Sequence, residues 1–312
     1  MCRLSWTKTE THDGYRSGRG HTRQGHCPAR SADARRRKRL GVNTSRPALW
    51  GVLNVTPDSF SDGGQFLSHD RALAQATTLL KNGAAVIDVG GESTRPGAPR
   101  VTPEAEQERV IPVIEALTKR GDVSSIDTMN ASTASAALDA GATIVNDVSG
   151  GLADPHMFRV VAEADVDYVI MHWRGHSDVM NDLAHYDTVA KDVRNELRER
   201  VSMALEAGIR PERIILDPGV GFAKTSAHNW QLLAGIDEIV ALGFRVLVGV
   251  SRKRFLGELL PEGHEIAQRD EPSAVVGALL AERGIWGLRV HEPLIHSRVL
   301  DVWQAVAQGG RQ

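Results

Sequence analysis

The chain has 312 residues, of which 41% are hydrophobic and 24% are charged, a composition typical of a soluble globular protein. It contains neither an apolar run of the roughly 18 residues that a membrane-spanning helix needs nor a secretory signal, so the cytoplasm is the predicted location. Cys2 and Cys27 both lie in the first 30 residues, which excludes cysteine nucleophiles, disulfides and thiolate metal sites from the rest of the chain.

Residues 1–46 differ in charge from the remainder. They carry 12 Lys and Arg against 3 Asp and Glu, whereas residues 47–312 carry 25 against 36. A basic segment containing RRRKR is compatible with a nucleic-acid-binding or targeting arm. Its lack of periodicity and its few apolar residues favour a disordered extension, or residues that the mature protein lacks because translation starts downstream. We therefore predict a disordered extension over 1–46, a folded domain over 47–312, and neither a nucleic-acid nor a membrane partner.

From Leu49 onward, short apolar runs alternate with longer segments of helical periodicity in eight rounds. The predicted strands are LWGVLNV from Leu49, AAVIDVG from Ala84, VSSID from Val123, ATIVNDV from Ala142, DYVIMHW from Asp167, RIILDPG from Arg213, RVLVGVS from Arg245 and GLRVH from Gly287. Eight such units in about 260 residues favour a single (β/α)8 TIM barrel, of the α/β class. The alternative is a doubly wound sheet that binds a dinucleotide. Such a sheet requires a G-x-G-x-x-G at its first turn, which this sequence lacks.

Helix signals fill the connections between these strands. Ser68 is predicted to cap the first helix, and Thr102 with Pro103 to open the second. Further helices are predicted from about Ala131 to Ala140, from Asp154, from about Tyr186 to Ala207, and from near Ser226, Pro272 and Pro293.

The first strand ends at Asn54 and leads into TPDSFSDGG, a long aperiodic loop of the kind that often binds a ligand. An amide oxygen at this position can ligate Mg²⁺, which takes oxygen ligands and keeps several waters for a phosphate-bearing substrate. The alternative is a turn-capping role, because Asn near Pro is common in turns.

In a (β/α)8 barrel, catalytic residues lie at the carboxyl ends of the strands. Polar residues fall at these ends one after another: Asn54, Glu92 to Arg95, Asp127, Asn146, His172, Asp217, Ser251 with Lys253, and Arg289 with His291. The carboxylates and the Asn146 amide can hydrogen-bond the N–H edge of a flat heterocycle. The donors at the seventh and eighth strands are of the kind that bind phosphate.

Each of these residues also has a simpler interpretation. A single Asp after a strand is often a turn residue, Arg289 and His291 could form a surface ion pair with Glu292, and Lys253 could begin a solvated helix. The segment DPGVGFAKT could be a phosphate loop, but it lacks the Walker spacing and begins with an acid. Its glycines allow backbone to approach a bound ring, which Phe222 could cover.

Seven motifs between Leu49 and about Val306 resemble those of the dihydropteroate synthase family, in the family's order and spacing. They are NVTPDSFSDGG, DVGGESTRPGA, SIDT, IVNDVSGG, DPGVGFAKT, GVSRKRF and RVHE. The resemblance implies a (β/α)8 enzyme of folate synthesis that uses Mg²⁺. Such an enzyme joins 6-hydroxymethyl-7,8-dihydropterin diphosphate to p-aminobenzoate, giving 7,8-dihydropteroate and diphosphate. It also implies a homodimer and a sulfonamide target.

The same resemblance assigns roles to individual residues. Asn54 would hold Mg²⁺ and the diphosphate, and Arg289 and His291 would also contact the diphosphate. The pterin would contact Asp127, Asn146, Asp217 and Lys253, with Met171, Gly221, Phe222 and Val290 beside it, and p-aminobenzoate would contact Thr94, Arg95, Pro96 and Ser251. The implied catalytic set is Asn54, Asp127, Lys253, Arg289 and His291. The extension before Leu49 and the polar stretch from Gly257 to Asp270 are less typical of the family.

Two other functions remain open at this point. A methyltransferase acting on methyltetrahydrofolate would share the pterin-binding barrel, but it releases no diphosphate and needs no SRK or RVH donors. A non-catalytic paralogue could keep the fold as a binding protein.

Overall fold

The computed structural model of the chain describes residues 46–56, 65–92, 101–176, 180 and 182–309. Within them, eight parallel strands form a closed barrel in which each strand pairs with the next along the chain and β8 pairs with β1. The strands are β1 Ala48–Asn54, β2 Val86–Gly90, β3 Ser124–Asp127, β4 Ile144–Asp147, β5 Asp167–Met171, β6 Ile214–Asp217, β7 Arg245–Val248 and β8 Gly287–Val290. The predicted (β/α)8 barrel is confirmed, and the doubly wound sheet is excluded.

Helices pack around the barrel. They are Gln65–Lys81, Pro103–Lys119, Ala131–Asp139, Met157–Ala164, Val189–Glu206, Ser226–Ala234, Asp237–Val240, Arg254–Gly257, Asp270–Ala281 and Pro293–Gly309, with 3-10 turns over Pro211–Arg213 and Ile266–Arg269. In the part of the chain that the structure describes, none of them combines the length and the apolar character needed to cross a membrane.

Three predicted helix starts are wrong, and one of them is the start at Asp154, since that helix begins at Met157. The first helix begins three residues before Ser68, because the Gln-Phe-Leu sequence there contains good helix formers and extends the helix backwards. The helix predicted from Tyr186 begins only at Val189. Its first turn is set by Asp192, whose side chain accepts a hydrogen bond from the N–H of Thr188 at 3.0 Å.

The inside of the barrel is apolar at the amino ends of its strands. The side chains that fill it are Ala48, Trp50, Val86, Ile144, Val169, Ile215 and Leu247. Trp50 is fully buried, and the interior beside it is tightly packed, since a methyl group on Gly287 would approach the Leu247 side chain to 3.0 Å and the carbonyl oxygen of Ala48 to 3.3 Å. Because side chains alternate along a strand, positions two and four residues further on also point inward, at the carboxyl ends.

The predicted extension over 1–46 lies outside the described residues except for Arg46. The Arg46 guanidinium donates to the carbonyl and hydroxyl oxygens of Ser297 at 2.8 Å each, and it lies 3.1 Å from Asp301. These contacts join the start of the barrel domain to its last helix. The predicted domain boundary stays a prediction, and Arg46, the first residue that the structure describes, already contacts the last helix of the barrel domain.

Deletion of residues 1–45 is expected to leave the melting temperature and turnover unchanged, because the deleted segment is basic and aperiodic. Deletion of residues 1–46 should cost about 1 kcal/mol of unfolding free energy or less, since the Arg46 ion pair is partly exposed. Thermal and urea unfolding of the two truncations, side by side, measure the difference. A large loss from the shorter deletion would contradict the prediction that this segment is dispensable.

Candidate active site

Inside the barrel, Arg289 of β8 is hydrogen-bonded to two carboxylates. Arg289, Asp88 and Asp127 form the inner charged layer of the barrel. The Arg289 Nε donates to Asp88 and its Nη2 donates to Asp127, both at 2.6 Å. The Asn146 amide donates to the same Asp88 oxygen at 3.0 Å. Asp88 is fully buried. Arg289 is therefore held between inner carboxylates, and not in the surface ion pair with Glu292 that the sequence left open.

Burial sets the ionisation of this layer. It raises the pKa of Asp127 to about 7, and the negative charges of Asp88 and Glu106 add to the effect while Arg289 opposes it. Burial also lowers the pKa of Arg289, but the carboxylates Asp88 and Asp127 raise it by more, so the guanidinium stays charged. The result is one fixed positive charge beside Asp127, whose pKa of about 7 lies near neutrality.

A pH dependence of stability follows for the protein without ligand. The folded-state pKa of Asp127 lies above the unfolded value of 3.8, so its contribution to stability is fully present below about pH 4 and is lost as the pH rises through about 7. The size of this loss is on the order of a few kcal/mol. Urea unfolding of wild type and Asp127→Asn between pH 5 and pH 8 tests it. We expect a smaller decline in the variant, and equal declines would show that Asp127 does not titrate in this range.

The segment after β6 forms one wall of the site. Asp217 Oδ1 accepts a hydrogen bond from the N–H of Gly219 at 2.7 Å, and no residue that the structure describes donates to its Oδ2. Burial raises the pKa of Asp217 above its ordinary value, and the charge of Lys253 opposes this. One carboxylate oxygen thus shapes the loop, and the other is available to a ligand.

Lys253 follows β7, at the start of the helix Arg254–Gly257, and its side chain contacts this same loop. Its Nζ donates to the carbonyl of Val220 and lies 4.7 Å from the centre of the Phe222 ring. Gly221 has a φ of 81°, and a methyl group there would approach the Lys253 side chain to 2.8 Å, so glycine is required. Burial lowers the pKa of Lys253 to about 8, and the carboxylate of Asp217 opposes this shift. Lys253 is therefore half-buried against the β6 loop and is not a solvated helix start.

A second set of donors lies at the ends of β7 and β8. The Ser251 hydroxyl accepts a hydrogen bond from the backbone N–H of His291 at 3.1 Å and lies 3.0 Å from its Nδ1. Both residues face a cavity of about 1010 Å³. The same cavity is lined by Asn54, Asn146, Met171, Asp217, Gly221, Phe222, Lys253 and Arg289. The strand ends converge on one cavity, as predicted, while the role of each residue stays a prediction.

Comparison with known proteins identifies the family. A model described as pterin binding enzyme matches residues 50–291. The dihydropteroate synthase of Mycobacterium leprae (strain TN) is 47% identical over 272 residues, which are 84% of this chain and 94% of that protein. The chain belongs to the dihydropteroate synthase family.

Solved structures of dihydropteroate synthases share the fold. The Xanthomonas albilineans enzyme with 4-aminobenzoic acid is 43% identical, with a TM-score of 0.79 over 85% of this chain and 95% of that one. The same enzyme in complex with 7,8-dihydropteroate gives a TM-score of 0.76 at 40% identity over the same shares of the two chains. The Yersinia pestis enzyme with a sulfonamide drug complex is 37% identical, with a TM-score of 0.80 over 86% of this chain and 96% of that one.

Some residues that the family resemblance assigned to the site do not line the cavity. Asp127 is buried and accepts a hydrogen bond from the Arg289 guanidinium, which does line the cavity. The Val290 side chain packs in the core under the helices, because it points to the opposite side of β8 from Arg289. Thr94, Arg95 and Pro96 lie outside the described residues.

The prediction that His172 belongs to the ring around the cavity is wrong. His172 is buried, and its ring contacts Glu196 and Lys224 instead of facing the cavity. The physical reason is that β5 ends one residue earlier, at Met171, whose side chain takes the inward position.

Sequence reasoning missed three buried charged residues. Asp88 lies inside an apolar strand. This position could have identified it from the sequence, because a carboxylate buried in a strand requires a partner. Glu106, from the helix Pro103–Lys119, accepts hydrogen bonds from the Thr128 hydroxyl at 3.0 Å and the Asn130 amide at 2.8 Å, and so fixes the turn that follows Asp127. Lys224 ends the DPGVGFAK segment and is buried.

The Mg²⁺ that the resemblance implies would find one side-chain oxygen donor in the cavity at Asn54. Asn54 lines the cavity, and its amide oxygen would lie 3.7 Å from a methyl group placed on Gly90, so the missing side chain leaves space beside this oxygen. Among the described residues, no group of three or more His, Cys, Asp or Glu side chains could enclose a metal ion. A single amide oxygen in an open cavity fits a cation that takes its other ligands from phosphate and water.

Proposed function

We propose that this chain joins 6-hydroxymethyl-7,8-dihydropterin diphosphate to p-aminobenzoate and releases diphosphate and 7,8-dihydropteroate. The observation that carries the proposal is the convergence of a carboxylate and an amide, on β6 and β4, with hydroxyl, imidazole and cationic donors, on β7 and β8, in one cavity. Membership of the dihydropteroate synthase family supports it, as do the relatives bound to 4-aminobenzoic acid and to 7,8-dihydropteroate.

The pterin end of the cavity would form hydrogen bonds with the donors and acceptors on the edge of a flat ring. The Asp217 carboxylate would accept N–H groups of the pterin, while the Asn146 amide oxygen and the Lys253 ammonium complement its remaining edge. Phe222, half-buried beside Lys253, would cover one face of the ring. Met171 supplies apolar contact at the end of β5.

The chemistry is a displacement at the pterin methylene carbon. The C–O bond to the diphosphate breaks, and the diphosphate leaves with the bonding electron pair. The amine nitrogen of p-aminobenzoate forms the new C–N bond and then loses a proton to solvent. Ser251, His291 and the positive field of Arg289 stabilise the negative charge that develops on the leaving group. The cavity otherwise contributes position, by holding the two substrates in contact.

We propose Mg²⁺ as the cofactor, held by Asn54. When bound, Mg²⁺ would neutralise charge on the diphosphate and so make it a better leaving group. Arg289 alone is a poor substitute, since its Nε and Nη2 are already occupied by Asp88 and Asp127.

The test is an assay of purified protein with pterin diphosphate and p-aminobenzoate, with and without Mg²⁺, that measures released diphosphate and dihydropteroate. We expect release that depends on both substrates and falls when a chelator removes the metal. A sulfonamide should compete with p-aminobenzoate. Folded protein that binds pterin without turnover would indicate a non-catalytic paralogue, and methyl loss from methyltetrahydrofolate would indicate a methyltransferase.

We also propose that the protein is a cytoplasmic homodimer. Two neighbouring helices that pack together expose apolar residues one turn apart. On Asp270–Ala281 these are Val275 and Leu279, and on Pro293–Gly309 they are Val302 and Val306, all between 54% and 72% exposed. Paired apolar faces of this kind support association with a second copy of the chain.

Replacement of Leu279 by glutamate is expected to shift the protein from dimer to monomer at micromolar concentration, because it places a charge in the apolar face. Met203→Glu is the matched control, since Met203 is 48% exposed on the separate helix Val189–Glu206. Light scattering measures the mass of each. A monomeric wild type, or a Leu279→Glu variant that keeps the wild-type mass, would refute the proposed interface.

A further inference from the structure

Lys224 is a buried lysine that closes the loop after β6. It is 7% exposed, and its Nζ lies 2.9 Å from His172 Nδ1, 2.9 Å from the carbonyl oxygen of Gly219 and 3.0 Å from that of Phe222. These three partners match the three protons of an ammonium group. Lys224 also lines the cavity, yet the proposed displacement makes no use of its side chain.

The partners of Lys224 are themselves held by further polar groups. His172 Nε2 lies 2.9 Å from Glu196, which also accepts hydrogen bonds from Arg174. Arg174 in turn lies 3.9 Å from the centre of the Tyr186 ring, and the Tyr186 hydroxyl donates to the carbonyl of Ala223 at 3.0 Å. The loop after β6 is thus tied to β5 and to the helix Val189–Glu206.

The hydrogen bonds fix how many protons this network holds. Burial raises the pKa of Glu196, but bonds from His172 and Arg174 lower it by more, to about 2, so Glu196 is ionised and His172 Nε2 must carry the proton. Burial lowers the pKa of His172 to about 4 and also lowers the pKa of Lys224, so burial disfavours a second positive charge on this pair. A neutral pair would leave one of the three Lys224 partners without a proton. One positive charge is therefore shared by Lys224 and His172.

The loop that Lys224 holds has an unusual backbone. Gly219, Gly221 and Ala223 all have positive φ, at 65°, 81° and 49°. For Ala223, which is not a glycine, this conformation is strained, so surrounding contacts must impose it. Lys224 binds the carbonyls on either side of Val220, whose own carbonyl accepts from Lys253.

We propose that Lys224 is a positioning residue for the pterin, which fixes the loop carrying Asp217 and Phe222 and supplies a positive charge beneath it. The inference rests on the proposed function, because it concerns the same pterin end of the cavity. The charged and titratable groups that act on Lys224 are Lys253, Asp217, Arg174 and Glu196, together with the shared proton of His172 and the Tyr186 ring. Of these, Asp217 is the group that must be ionised to accept pterin N–H groups.

The test compares Lys224→Met with wild type and with Lys191→Met, an exposed lysine on the helix Val189–Glu206. Calorimetric titration with 6-hydroxymethylpterin, at a temperature where each protein is folded, should show affinity about 10-fold lower or weaker still in Lys224→Met and unchanged in the control. The KM for pterin diphosphate should rise with it. His172→Gln keeps an acceptor for the ammonium and should lose less affinity than Lys224→Met.

The pH dependence of binding separates positioning from mere stabilisation. Pterin binding is complete above the pKa of Asp217 and is lost as the pH falls through it. Removing the nearby cation raises that pKa, so the midpoint should move up by on the order of one pH unit. Lys224→Gln, which keeps two N–H donors without the charge, should show the same shift, and it carries the test if Lys224→Met does not fold.

The possible outcomes are distinct. A wild type that does not bind 6-hydroxymethylpterin would refute the proposed function. Wild-type binding with unchanged affinity and an unshifted midpoint in the folded Lys224 variants would overturn the positioning role, even if their melting temperatures fall.

Discussion

Replacement of Arg289 by methionine is expected to lower the free energy of unfolding by about 3–5 kcal/mol and to abolish turnover. The reason is that Asp88, fully buried, and Asp127, buried beside it, both lose the cation that neutralises them. Methionine fills much of the volume but carries no charge. Urea unfolding at pH 7.5, together with the diphosphate-release assay, measures both effects.

The matched control is Arg283→Met. Arg283 pairs with Asp237 at 2.6 Å, a distance equal to that of the Arg289 pairs, but the two side chains are 51% and 60% exposed. Surface pairs of this kind contribute about 1 kcal/mol or less. Adding Asp127→Asn to Arg289→Met should recover part of the lost stability, because it removes one uncompensated charge. A loss in Arg289→Met no larger than in the control would show that the inner layer is hydrated or protonated.

The barrel was predictable because its signals are local. Each strand is a short apolar run, and the alternation of strand and helix repeats eight times, so errors in single boundaries such as Ser68 did not change the topology. The strand-end rule then placed Asn54, Asn146, Asp217 and Ser251 in one cavity before any distance was known.

The contacts between these residues were not predictable, because they join distant parts of the chain. Arg289 was expected at the diphosphate, yet two of its donor nitrogens are directed at Asp88 and Asp127, which are 201 and 162 residues away. His172 stands at a strand end like its neighbours, but Lys224 and Glu196 take up both of its ring nitrogens. Strand position indicates which end of the barrel a residue occupies, while the direction of its side chain depends on packing.

Replacement of Asp217 by asparagine is expected to weaken pterin binding by about 1.5–3 kcal/mol, the contribution of a hydrogen bond to a charged group. Asparagine is a sharper test than alanine. Asp217 Oδ1 accepts from the N–H of Gly219, and alanine would free the loop as well as remove the charge. Asparagine keeps that acceptor and changes only the oxygen that no described residue contacts.

Calorimetry with 6-hydroxymethylpterin should therefore show an affinity about 10- to 150-fold lower in Asp217→Asn, with KM for p-aminobenzoate little changed. Asp139→Asn, an exposed carboxylate on the helix Ala131–Asp139, is the control and should bind as wild type does. Because burial raises the pKa of Asp217, wild-type affinity should fall with decreasing pH, while the affinity of the variant should not follow that titration. Equal affinities at neutral pH would mean that Asp217 only shapes the loop, and that Asn146 and Lys253 bind the pterin without a carboxylate.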